Sequence, residues 1–178
     1  MRAFVAVEVP PGDTRSQDVE PTPMHLTLLF LGEVPRERTV TIGDRLRAVA
    51  ATCAPFDLRI EGIGAFPSAV APRVVWIGTG VGREEVGRLA EKVRAALRGE
   101  GSSTPEESFV PHLTLFRVRS AATRRAALDL LEGRRAPPGP WQFRVREFVL
   151  KESILGAGGA VHRTLAAFPL EGPGEPVP

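Results

Sequence analysis

Apolar and polar positions along this chain alternate in short runs, broken by proline and glycine, and in three places they shift to a helical period. Ala3 to Val9 (AFVAVEV) carries β-branched and aromatic residues and stops at Pro10-Pro11, which predicts a strand. Gly12 to Pro23 is polar, rich in breakers and without helical period, so it reads as loop. His25 to Leu31 reads as a second strand, closed by Gly32. Arg36 to Ala51 places Val40, Leu46, Val49 and Ala50 at helical spacing. Phe56 to Ala65 and Arg73 to Gly78 read as strands. Arg83 to Arg98 is the strongest amphipathic helix, with Val86, Leu89, Ala90, Val93 and Leu97 on one side and acidic residues in its first turn. After a loop at Gly99 to Glu107, strands are expected at Phe109–Val118, Trp141–Glu152 and Val161–Phe168. A helix is expected at Ala121–Leu131, and Gly156 to Gly159 reads as a turn.

One tetrapeptide occurs twice, as His25-Leu26-Thr27-Leu28 and His112-Leu113-Thr114-Leu115. Side chains on a strand alternate faces, so each copy puts His and Thr on one face and both leucines on the other. Each copy is followed by the same order of strand, helix, strand, strand. That pattern is a degenerate internal duplication. Hairpin-joined strands favour antiparallel pairing, and helices must cover one face of each sheet. The expected fold is therefore α+β: two pseudo-symmetric lobes, each an antiparallel sheet with helices outside, and a cleft between them. The whole chain, 1–178, is expected to form one bilobal domain, with 171–178 as a flexible tail. A strong helix precedes the second motif strand, whereas Gly12 to Pro23 is too short to hold a comparable one before the first.

A histidine on a strand is ordinarily a surface residue, and threonine is a strand former in any case. The exact repeat, matched in place within a duplicated pattern, outweighs that reading. Two imidazoles on opposite sides of a phosphodiester make an acid–base pair. One activates water and the other protonates the leaving oxygen. A threonine hydroxyl two residues on can hydrogen-bond the phosphate oxygens as charge builds on them. Such a site calls for neither a metal nor a cofactor. Because the motifs are identical, the residues alone leave open which histidine is the acid.

Composition changes this picture little. The formal net charge is only +2, so charge alone does not demand a nucleic-acid partner. The basic residues are almost all arginine, Lys92 and Lys151 excepted. Arg117, Arg119, Arg124, Arg125, Arg134 and Arg135 could bind RNA phosphates, although for the last four a solvated surface is the plainer reading. Cys53 is alone, which rules out an internal disulfide and suits a cytoplasmic setting. No apolar run is long enough to cross a bilayer, so no membrane partner is expected. His162, the third histidine, reads as an ordinary surface or edge residue, and the three histidines have no metal-ligand spacing. Gly78-Thr79-Gly80-Val81-Gly82 completes no dinucleotide fingerprint in either register and reads as a flexible turn. Phe30, Phe66 and Phe116 could stack a base, with core packing as the default for each.

The paired motifs resemble those of the 2H phosphoesterase superfamily, and within it the RNA 2′,3′-cyclic phosphodiesterases (2′-5′ RNA ligase-like). The resemblance covers most of the chain. It rests on Phe4-Val5-Ala6-Val7, HLTLLFLGEV from His25, FDLRIEGIGAFPS from Phe56, PRVVWIG from Pro72, FVPHLTLFRV from Phe109 and FVLKESILGAGG from Phe148. It implies that His25 is the proton donor and His112 the proton acceptor, with Thr27 and Thr114 on the phosphate. Arg117 matches a further family position, but its odd offset from His112 puts it on the wrong face unless a bulge intervenes. The implied substrate is RNA ending in a 2′,3′-cyclic phosphate, converted to a 2′-phosphomonoester by a monomeric enzyme without metal. Alternatives are an RNA-end binding module without turnover, or action on another cyclic phosphate or a 2′-5′ linkage, reverse ligation included.

Overall fold

A computed structural model describes residues 1–10, 24–100, 109–156 and 159–173. The expected loop at Gly12 to Pro23, most of that at Gly99 to Glu107 and the middle of the Gly156–Gly159 turn lie outside the described residues. The elements run β1 (Arg2–Glu8), β2 (His25–Glu33), α1 (Thr39–Ala50), β3 (Phe56–Phe66), β4 (Val74–Thr79), α2 (Arg83–Ala96), β5 (Leu113–Arg117), α3 (Ala121–Leu131), β6 (Trp141–Val145), β7 (Glu147–Gly156) and β8 (Gly159–Pro169). A 3-10 turn at Arg36–Arg38 leads into α1.

Local chemistry sets the helix starts. Ser120 caps α3 through a reciprocal box: its hydroxyl accepts from the Thr123 N–H at 3.2 Å, and the Thr123 hydroxyl accepts from the Ser120 N–H at 3.0 Å. Gly82 opens α2 at φ 82°, and a Cβ there would collide with the Asp57 carbonyl oxygen. Only glycine suits that corner. The Gly78–Gly82 stretch is thus a packed turn, not a flexible one; Gly80 N–H donates to the Arg59 carbonyl and Arg59 N–H to that of Val81, both at 2.9 Å.

All strand pairs are antiparallel and form one eight-stranded sheet in the order β6-β3-β4-β5-β2-β1-β7-β8. Four strands flank each side of the β2–β5 junction, as two pseudo-symmetric halves. The halves are interleaved along the chain. Strands β3 and β4, which follow the first motif, complete the sheet of the second, and β7 and β8 complete that of the first. Trp141 to Glu152 is accordingly two strands and not one. Arg146 separates β6, paired with β3, from β7, paired with β1, so the chain passes there between halves.

The three helices cover one face. Ile42, Leu46, Val49 and Ala50 of α1 and Val86, Leu89, Ala90 and Val93 of α2 pack on Val5, Val7, Leu26, Leu58, Ile60, Ile77, Leu113 and Leu150. Helix α3 adds Ala127 and Leu130 against Val75. Val40, expected inward, is 72% exposed; Ile42 takes its place because the 3-10 turn delays the start of α1. Two buried carboxylates each hold two arginines: Glu100 those of Arg38 and Arg45, both at 3.2 Å, and Glu152 those of Arg36 at 2.9 Å and Arg163 at 2.6 Å. Such pairing meets the cost of taking the charge out of water. Past β8, Glu171 N–H donates to Ala50 at 3.1 Å and Gly172 N–H to Cys53 at 2.9 Å, so the first residues of the expected tail are tied to the end of α1.

Candidate active site

Among the described residues a single bridge, Leu26 opposite Leu113, joins the two halves. These are the same residue of the two tetrapeptides, and both side chains are buried on the helix-covered face. His25, Thr27, His112 and Thr114 therefore project from the opposite face, where all four are partly or fully exposed. Continued one residue outward, the register sets His25 across from Thr114 and Thr27 across from His112. The histidines then occupy diagonal positions, which in a regular antiparallel pair lie about 7–8 Å apart.

Each motif carries a bulge at the same place. Thr27 pairs with Ala6 and Leu29 with Val5, so Leu28 is the extra residue. Thr114 pairs with Trp76 and Phe116 with Val75, so Leu115 is the extra residue. A bulge resets the alternation of faces. Arg117, opposite Val74, thereby returns to the face of Thr114, and it is exposed. Strand β5 is shorter than the expected Phe109–Val118, and His112 immediately precedes it. Phe30, five residues after His25 as Arg117 is after His112, likewise reaches the open face; it is 59% exposed, contrary to a core role. Phe116 is partly buried and packs against the cluster beneath α3.

Aromatic rings surround both histidines. His112 meets Phe66 edge-on, with centroids 5.0 Å apart, and Trp76 at 5.9 Å. His25 meets Phe4 at 4.9 Å and His162 edge-on at 5.1 Å. His112 Nδ1 lies 2.7 Å from the Val110 carbonyl oxygen. A carbonyl only accepts, so Nδ1 carries the proton and the lone pair of a neutral His112 ring is on Nε2.

His162 was not legible as a site residue. It stands on β8 at the sheet edge, but its ring packs against Phe4 at 5.0 Å and His25 rather than facing bulk solvent. Burial, and then the Lys151 charge, lower its pKa from 6.5. Lys151, 3% exposed, lies opposite Phe4 in the register and donates to Glu8 and, at 3.1 Å, to Thr164. Of the arginine cluster, Arg134 is held by Asp129 at 3.0 Å and by Glu132. Among the described residues no three His, Cys, Asp or Glu side chains gather as metal ligands, and no helix is long and apolar enough to cross a membrane.

Known proteins are similar to this chain in sequence and fold. The family model described as the 2′-5′ RNA ligase superfamily matches residues 8–154. An RNA 2′,3′-cyclic phosphodiesterase of Archaeoglobus fulgidus is 38% identical, over 94% of this chain and 99% of its own. That of Thermus thermophilus is 37% identical, over 86% of this chain and 75% of its own. Among solved structures, TT0787 of Thermus thermophilus superposes with a TM-score of 0.75 at 30% identity, covering 97% of this chain and 99% of its own. E. coli LigT complexed with 3′-AMP superposes with a TM-score of 0.72 at 25% identity, covering 95% and 97%. With its two bulged HLTL strands meeting at Leu26 and Leu113, the chain belongs to the 2H phosphoesterase superfamily, in its 2′-5′ RNA ligase-like, RNA 2′,3′-cyclic phosphodiesterase family.

Proposed function

We propose that this protein opens the 2′,3′-cyclic phosphate at the end of an RNA chain, with His112 as general base and His25 as general acid. The observation that carries the reading is the Leu26–Leu113 bridge, which seats both motifs side by side on one open face. His112 Nε2 takes a proton from water as the water oxygen bonds to phosphorus. The bond from phosphorus to the 3′-oxygen breaks, and His25 gives its proton to that oxygen. The product is a 2′-phosphomonoester, and the two imidazoles have exchanged protonation states. Thr27 and Thr114 donate hydroxyl hydrogen bonds to the phosphate oxygens, and Arg117 supplies a planar, charged fork for the same group.

The Val110 carbonyl supports His112 in the base role, since it leaves Nε2 as the acceptor. The names of the relatives support the substrate, and the nucleotide bound to E. coli LigT is of the same chemical class as an RNA end. The mechanism routes no step through a metal. The test is incubation of RNA ending in a 2′,3′-cyclic phosphate with the protein in the presence of chelator, and resolution of the products. The expected outcome is a 2′-phosphomonoester. His25→Ala and His112→Ala are each expected to slow its formation by about 10²–10⁴-fold. Binding without a new phosphomonoester, or full turnover in either variant, would refute the reading. Ligation across a 2′-5′ linkage would be the same chemistry reversed.

A further inference from the structure

We propose that His162 is a positioning residue for His25, holding its imidazole between β1 and β8 in the orientation from which the proton is delivered. The inference rests on the acid role given to His25 above. The rings of Phe4, His25 and His162 are in mutual contact, with centroids 4.9, 5.0 and 5.1 Å apart. His162 meets each of the other two edge-on, at 79° and 83°. At the other motif Phe66 meets His112 in the same way, at 82° and 5.0 Å. Each motif histidine is thus buttressed by one edge-on ring, and only the buttress of His25 can itself titrate.

The surroundings keep that buttress uncharged. His162 Nδ1 is buried and makes no hydrogen bond among the described residues. Among the described residues, the charged and titratable groups on its side of the sheet are Lys151 of β7, Arg2 and Glu8 of β1, and His25 and Glu33 of β2; Lys151 and Glu8 are joined to one another and to Thr164, and Arg2 to Glu33 at 3.9 Å. Burial and the Lys151 charge both disfavour a proton on His162, so near neutral pH it acts as an aromatic wall. At lower pH it gains a charge one ring-width from His25, and the two titrations become coupled.

Two variants and two readouts test this. His162→Ala removes the wall; His162→Phe keeps it and removes the titration. With cyclic-phosphate RNA, His162→Ala is expected to lower kcat by roughly 10–100-fold with KM little changed, and His162→Phe to recover most of that loss. By NMR, the His25 ring resonances of the wild type are expected to show a second inflection, from the titration of His162, that is absent from His162→Phe. An unchanged kcat in His162→Ala, a rise confined to KM, or a His162→Phe as slow as His162→Ala would overturn the proposal. So would a His25 titration curve that is the same in wild type and His162→Phe. If the wild type fails to open the cyclic phosphate, the proposed function fails instead, and the NMR comparison still reads the contact between the rings.

Discussion

Arg117 shows how one extra residue redirects a side chain. Its offset of five from His112 would send it into the helix-covered core on a regular strand. The Leu115 bulge turns it to the open face beside Thr114. If it clamps a phosphate there, its planar fork matters as well as its charge. Arg117→Lys should then retain part of the affinity and lose the paired hydrogen bonds, while Arg117→Ala loses both. A charge-assisted hydrogen bond is worth about 1.5–3 kcal/mol, so kcat/KM should fall roughly 10–150-fold in the alanine variant and less in the lysine variant. Thr114→Val keeps the shape of the side chain and removes one neutral donor; a loss of roughly 3–10-fold is expected. Steady-state kinetics on a 2′,3′-cyclic nucleotide would measure all three. Equal losses in Arg117→Lys and Arg117→Ala would show that the fork, rather than the charge, is what the site uses.

At the scale of elements, the Leu26–Leu113 bridge is the narrow point of the sheet. It is the one backbone pairing between β2 and β5 among the described residues, and both leucines are essentially fully buried. Truncating either to alanine should cost about 2–5 kcal/mol. Their side chains point to the same face from paired positions, so Leu26→Ala combined with Leu113→Ala should cost less or more than the sum by a measurable coupling. Urea denaturation of the two single variants and the double variant would show it, and simple additivity would mean that the bridge does not couple the halves. The same pairing explains what could be read in advance. The helices were legible because a period of 3.6 is local, and Leu26 and Leu113 were legible because alternation is local too. Which strands pair is not local. Nothing in Phe56–Ala65 or Phe148–Glu152 shows that each enters the half of the sheet that holds the other motif. The break at Arg146 leaves only a change of phase, with Phe148 instead of Glu147 as the next apolar residue after Val145, and a bulge within one strand would read the same way. His162 was missed for a related reason: a lone histidine on a strand has no spacing to another ligand or base, and only the fold sets it beside His25.

For the molecule as a whole, the duplicated motifs are symmetric in backbone and unequal in environment. Both bulge at the fourth residue of the tetrapeptide, yet His112 leans on Phe66 and Trp76 while His25 leans on Phe4 and His162. One consequence reaches stability. The folded protein holds His162 with a proton affinity below the ordinary 6.5, first through burial and then through Lys151. The unfolded chain exposes the same imidazole to water, where it binds a proton more readily. Below pH 6.5 the unfolded state therefore takes up a proton that the folded state resists. The His162 contribution is fully present above that pH and is lost as pH falls toward the lowered value. Phenylalanine at this position fills the same edge-on contact without titrating. Denaturant unfolding of wild type and His162→Phe at about pH 7.5 and about pH 5 isolates the effect, because the other ionisable groups are common to both proteins. The wild type should lose more stability between the two conditions than the variant. An equal loss in both would mean that His162 accepts its proton as easily in the folded cleft as in the unfolded chain, and the neutral wall beside His25 would have to be abandoned.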